Sequence, residues 1–107
     1  MALYLYQAGY TAESLSKQMK NPADRLEAVG QQIRSTGAKF IAGGFSFGEY
    51  DISAVMDAPD DTTMAAVAIA IAAGGAIKSS KTTRLLSGAE YVAALKKASE
   101  VGYKPAK

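Results

Sequence analysis

The side chains of this sequence best suited to chemistry gather around the stretch SFGEYDISAV, Ser46 to Val55, where a carboxylate follows a tyrosine just past a glycine. A carboxylate taken out of water holds its proton more tightly, so Asp51 could serve as a base toward an activated C–H or a phenolic O–H. In that reading Tyr4, Tyr6, Lys81 and Thr83 hold the substrate, with Ser46 and Ser53 beside Asp51 on the central strand pair. Each of these residues also has a plainer role. Asp51 can cap a hairpin by pairing with Ser46 or a lysine, the tyrosines can be core, and Lys81 can be a solvated edge residue.

Other chemistry is closed off by composition. The chain has no histidine and no cysteine, which removes Ser-His-Asp catalysis, ordinary zinc sites, haem held by histidine or thiolate, and the two-histidine iron triad. Disulfides are excluded for the same reason. A carboxylate-only magnesium or calcium site has one candidate cluster, DAPDD, with Asp57, Asp60 and Asp61; the same residues also read as a proline-delimited loop and a helix cap. Gly43, Gly44 and Gly48 precede no helix, so they make neither a phosphate loop nor a dinucleotide fingerprint. No metal and no cofactor are expected.

The elements that must position these residues follow from periodicity and punctuation in a chain of 107 residues, the length of one domain with one core. LYLYQAGY, Leu3 to Tyr10, is a strand with large apolar or aromatic side chains on both faces. Thr11 caps a helix that Asn21 and Pro22 interrupt, and a second segment runs from Ala23 to Ser35 and ends at Gly37. AKFIAGGFSF is the second strand. Gly48 and Glu49 then form a two-residue turn that sets Phe47 opposite Tyr50, Ser46 opposite Asp51 and Phe45 opposite Ile52. With strict alternation, Ile41, Phe45, Phe47, Tyr50, Ile52, Ala54 and Met56 share the face that helices cover. Phe40, Ala42, Gly44, Ser46, Asp51, Ser53, Val55 and Asp57 share the other. Asp60, Asp61 and Thr62 open a helix through the apolar run MAAVAIAIAAGGAI, too short to span a membrane and read as a buried helix. AIKSSKTTRLL is an edge strand, and Ser87 with Glu90 is a capping box for a last helix.

The fold expected is α+β: a ferredoxin-like βαββαβ unit, its four-stranded antiparallel sheet covered by helices on one face, followed by an extra C-terminal helix. One domain spans residues 1–98, with residues 99–107 as a tail. Because the first strand is apolar on both faces, the uncovered face calls for a second copy, most economically by two-fold symmetry.

The segments YLYQAGYTAES, DRLEAV, FGEYD, DAPDD and GGAIKSSKTTRLL resemble the GYD domain family of small bacterial proteins, in order along nearly the whole chain. Gly48, Tyr50 and Asp51 match its signature; Arg84 departs from it, standing where a proline is expected. The resemblance implies a dimeric α/β barrel, whose superfamily includes cofactor-free monooxygenases, haem-degrading enzymes, small isomerases and ligand-binding regulatory domains.

The basic residues concentrate late, seven against two acidic ones from Lys78 to Lys107, compared with five against eight before. They are too dilute for a nucleic-acid footprint. No nucleic-acid or membrane partner and no secretory signal are expected, and a cytoplasmic location is the default. Two functions remain open at this level. The chain is a homo-oligomer binding a small apolar or aromatic ligand in a cavity between sheets, with or without catalysis, or it is a structural or regulatory assembly module. A cavity of at least ~300 Å³ lined by Asp51 and tyrosines separates the first from the second.

Overall fold

A computed structural model describes residues 2–106. Strand β1 (Ala2–Tyr10) leads into α1 (Ala12–Lys20) and α2 (Arg25–Ile33), which continues as a 3-10 turn, Arg34–Thr36. β2 (Lys39–Phe45), β3 (Ile52–Ala58), α3 (Asp61–Ala73), β4 (Ile77–Leu85) and α4 (Gly88–Ala98) follow. The strands form one antiparallel sheet in the order β2-β3-β1-β4. This is the ferredoxin-like arrangement with one additional helix at its end.

Local chemistry accounts for the helix boundaries. Thr11 accepts from the Ser14 N–H, Asp60 from the Thr63 N–H, and Ser87 and Glu90 complete a reciprocal capping box. The Thr63 contacts hold the Asp60 carboxyl below its ordinary range. Gly37, at φ 89°, is the left-handed cap that ends the 3-10 turn. One boundary differs from the expectation. Asp24 accepts from the Leu26 and Glu27 N–H groups and starts α2 at Arg25, two residues after the Ala23 expected, so Ala23 lies with Pro22 in the link between helices.

Alternation along β1 decides which residues meet the helices. Tyr4 pairs with Met56 and Tyr6 with Ala54, and all four are buried on the side where α2 and α3 pack. The opposite face is built in rows: Gly44, Ser53, Gln7 and Lys81; then Ala42, Val55, Leu5 and Thr83; then Lys39, Asp57, Leu3 and Leu85. No element of the described chain covers these rows, and Leu3 is 41% exposed.

Strict alternation fails in β2. Ile41 is an extra residue, because Phe40 pairs with Met56 and Ala42 with Val55. The bulge moves Phe40 to the helix side, where it joins the core, and leaves Ile41 half-exposed. Nor do Gly48 and Glu49 form a two-residue turn. The ladder stops at Phe45 and Ile52, and one backbone bond from Ser46 N to Asp51 O, 2.8 Å, closes a wider loop. Phe47, expected under the helices, sits in that loop fully exposed.

Helix α3 is buried on one side only, at Met64 and Val67, while Ile69 on its outer side is 68% exposed. Its apolar sequence therefore covers more surface than this chain packs. Helices α1 and α4 have no buried residue at all. Projection of these elements explains a radius of gyration of 17.1 Å, against about 13 Å for a compact chain of this length.

Close approach of β2 to β3 is the tightest backbone constraint in the sheet. A Cβ on Gly43 would fall 2.7 Å from both Ala54 Cα and Ser53 O, and neither backbone atom can move without opening the ladder. Gly43→Ala is expected to cost about 2–3 kcal/mol by overpacking, a large share of a typical 5–15 kcal/mol domain stability. Urea denaturation of the variant beside the parent measures it.

Candidate functional site

The sheet does not bring the candidate residues into one place. Ser53, Lys81 and Thr83 lie on the uncovered face, where Gln7, between Ser53 and Lys81, donates to Ser53 Oγ at 3.5 Å. Tyr4 and Tyr6 lie on the other side, under the helices. Ser46 donates its hydroxyl to Tyr50 O at 2.7 Å within the wide loop.

Asp51 joins the loop to β1. Its backbone N–H donates to Ala8 O at 2.9 Å, and its Oδ2 accepts from the Tyr10 N–H at 2.8 Å. The two bonds extend the β1·β3 ladder one step beyond its last residue pair. They do so beside a bulge in the β1·β4 ladder, where Gly9 pairs with Ser79 but Tyr10 with Ile77. The carboxylate thus caps a strand end, not the hairpin, and it fixes Tyr10.

Tyr4 belongs to a separate cluster. Its hydroxyl donates to Asp61 at the start of α3, and the Arg84 guanidinium sits 5.6 Å from the centre of its ring. Arg84 also approaches Asp61 at 3.5 Å and Glu90 at 3.2 Å. Arg84 therefore ties β4 to the starts of α3 and α4. Asp61 and Asp60 are engaged in these contacts and in the α3 cap, and among the described residues no group of three or more acidic side chains is placed to hold a metal.

The largest cavity described lies between the sheet and helices α2 and α3, with a volume of about 570 Å³. Tyr6, Ala8, Tyr10, Phe40 and Ile52 form its sheet side; Val29 and Ile33 of α2 face Val67 and Ile71 of α3 across it. Polar groups are few: two tyrosine hydroxyls, Arg25, Gln32 and Thr36. This volume falls in the range of small-molecule sites, and such a lining is typical of them. Asp51 is not among the lining residues but fixes one that is.

The Tyr6 hydroxyl is buried with no hydrogen-bond partner. An unpaired hydroxyl away from water costs about 1–3 kcal/mol, and this one is enclosed beside the cavity with almost no accessible surface. Burial raises the Tyr6 pKa, and the neighbouring Tyr10 adds to the effect. Tyr10 is also raised by burial, with the Arg25 guanidinium beside it pulling the other way. Tyr4 is raised by burial and then by its bond to Asp61. All three stay neutral donors through the physiological range.

Sequence reasoning did not identify Tyr10, Arg25 or Phe40 as site residues. Tyr10 could have been found, since it shares the alternation of Tyr4 and Tyr6. Phe40 was hidden by the bulge. Arg25 carries no local signal, because only the packing of α2 brings it to the cavity.

The fold and cavity define a ferredoxin-like α+β domain with a pocket under its helix layer. A profile of the GYD domain family matches residues 4–95, and the chain belongs to that family. Among solved structures it is similar to the crystal structure of the Mtb protein MtbAldR, at 17% identity and a TM-score of 0.57 over 83% of this chain. This chain spans 58% of that one, and the likeness concerns the fold. No curated protein matches the sequence significantly.

Two expectations follow from the geometry. Asp51→Ala removes a charged acceptor and strands the Tyr10 N–H, for an expected loss of about 1.5–3 kcal/mol; Asp51→Asn keeps an acceptor oxygen and should lose well under half of that. Thermal or urea denaturation distinguishes them. The tyrosines set an alkaline limit. A folded-state pKa raised above the ordinary 10.0 contributes stability that is complete below that value and is lost as pH rises through the folded one. Stability should therefore fall above pH 10.0, with Tyr4, Tyr6 and Tyr10 ionising at higher pH in the folded chain than in the unfolded one, which ultraviolet tyrosinate absorbance followed beside circular dichroism will reveal.

Proposed function

We propose that this chain is a homo-oligomeric protein that binds a small apolar or aromatic molecule in the cavity between its sheet and helices α2 and α3. The observation that carries this reading is the apolar cavity of about 570 Å³, walled by the aromatic residues Tyr6, Tyr10 and Phe40. A purely structural domain gains nothing from such a space, since an unfilled apolar cavity forfeits packing.

Self-association is supported by what the chain leaves uncovered. Leu3, Leu5 and Val55 stand on the open sheet face, together with Asp57, whose Oδ1 has no partner, and the cationic Lys81. A second copy set against this face by two-fold symmetry would cover the apolar rows and bring opposite charges to the same interface. The exposed apolar sides of α3 and α4 favour contacts beyond a pair. An assembly module that binds nothing is the second reading, favoured by the same surfaces.

Native mass spectrometry separates the two. The parent chain is expected as a dimer or higher multiple that takes up naphthalenemethanol, one molecule per chain, while Ala70→Trp, which places a large ring at the cavity rim, loses uptake and keeps the assembly. Oligomers that take up no probe would leave only the assembly module. Leu5→Arg, which sets a charge in the central apolar row, is expected to give monomers in sedimentation; an unchanged mass would remove the open face as the interface.

A further inference from the structure

The cavity lining is uneven in charge. Arg25 is its one cation, and no aspartate or glutamate lines it. Among the described residues Arg25 has no carboxylate within ion-pair distance, unlike Arg84, which has two. Asp24, its neighbour in sequence, is engaged at the α2 start by the Leu26 and Glu27 N–H groups at 3.0 and 3.2 Å. Asp51, the carboxylate nearest Tyr10 in the sheet, is held by the Tyr10 N–H and does not line the cavity.

The polar atoms also cluster. Arg25, Tyr10 and Tyr6 line the same cavity, with Arg25 beside Tyr10 and Tyr10 near enough to Tyr6 to raise the pKa of its hydroxyl. A half-buried Arg25 side chain and the Tyr10 hydroxyl therefore adjoin one another, with the Tyr6 hydroxyl enclosed behind them. Every group in this set can donate, and burial keeps both hydroxyls protonated. The remaining lining is apolar, with the Phe40 ring and the Tyr6 and Tyr10 rings supplying aromatic walls and Val67 and Ile71 facing them.

We propose that the cavity takes a small aromatic carboxylic acid in its ionised form, with the ring between Phe40 and α3 and the carboxylate received by Arg25 and the Tyr10 hydroxyl. This rests on the ligand-binding reading above and names the class of ligand. A carboxylate accepts from a guanidinium fork with two oxygens and still offers lone pairs to hydroxyls. A neutral aromatic alcohol of the same shape would fill the apolar part and leave Arg25 unpaired. A cationic ligand would meet Arg25 as a like charge.

Calorimetric titration of the full chain with naphthoate and with naphthalenemethanol tests this at neutral pH. Naphthoate is expected to bind at least about tenfold more tightly than the alcohol, the scale of a charge-assisted hydrogen bond set against a neutral one. Arg25→Gln should remove that difference while alcohol binding stays within about twofold. Tyr10→Phe keeps the ring and should weaken naphthoate by roughly five- to tenfold, with alcohol binding changed by less. Equal binding of both probes to the parent chain overturns the carboxylate assignment and leaves the ligand-binding reading standing. Binding of neither probe overturns both. Preference for naphthoate that survives Arg25→Gln overturns the role of Arg25.

Discussion

Strand β1 is the constraint from which the rest of the structure follows. It pairs with β3 on one side and β4 on the other along nearly its whole length, so its pleat sets the two faces of the sheet. With Tyr4, Tyr6 and Ala8 turned toward the helices, Leu3, Leu5 and Gln7 have nowhere to point but outward. That division places aromatic hydroxyls inside, where they lack water, and short aliphatic groups outside, where they lack cover. Both the cavity chemistry and the unpartnered face descend from it. Asp51 holds the end of the strand in register, with a backbone donor given to Ala8 and a carboxylate oxygen offered to Tyr10. Asp51 thus acts on the cavity from outside it, by fixing the backbone that carries Tyr10.

The helix layer is thinner than the sequence suggests. Only α2 and α3 pack on the sheet, and neither fills the space between them. Glycine and alanine contribute here: α3 presents Ala66 and Ala70 to the cavity, where larger side chains would close it. Since α3 is apolar nearly all round, small residues on the cavity side do not leave it polar on the other. One helix therefore borders the cavity within the chain and offers an apolar surface beyond it.

The order of elements, the helix caps at Thr11, Asp60 and Ser87, and the left-handed position at Gly37 were legible because each depends on a few adjacent residues. The helix-facing set Ile52, Ala54 and Met56 was legible for a related reason, since a regular strand carries its alternation in the sequence. Legibility ended where regularity did. One extra residue at Ile41 reverses the alternation of β2 between Phe40 and Phe45, and nothing in KFIAGGF announces it. The grouping of Tyr4 and Tyr6 with Lys81 and Thr83 failed for a different cause. Both faces of β1 are apolar, so hydrophobicity could not say which one the helices take; the pairing of Tyr4 with Met56 and of Tyr6 with Ala54 decides it. Arg25 and the cavity were invisible, because a space is a property of how elements pack and no residue encodes it alone.

Helix α4 has a good start and almost nothing else. A capping box begins it, Arg84 reaches Glu90 at 3.2 Å, and beyond that its Tyr91, Val92 and Leu95 each remain about half-exposed. Eleven residues are few for a helix to persist alone in water. Its amide protons should therefore exchange with solvent far sooner than those of β1, and as a unit separate from the sheet. Anything that came to rest on its apolar side would add to its order, and its local unfolding equilibrium would report that contact.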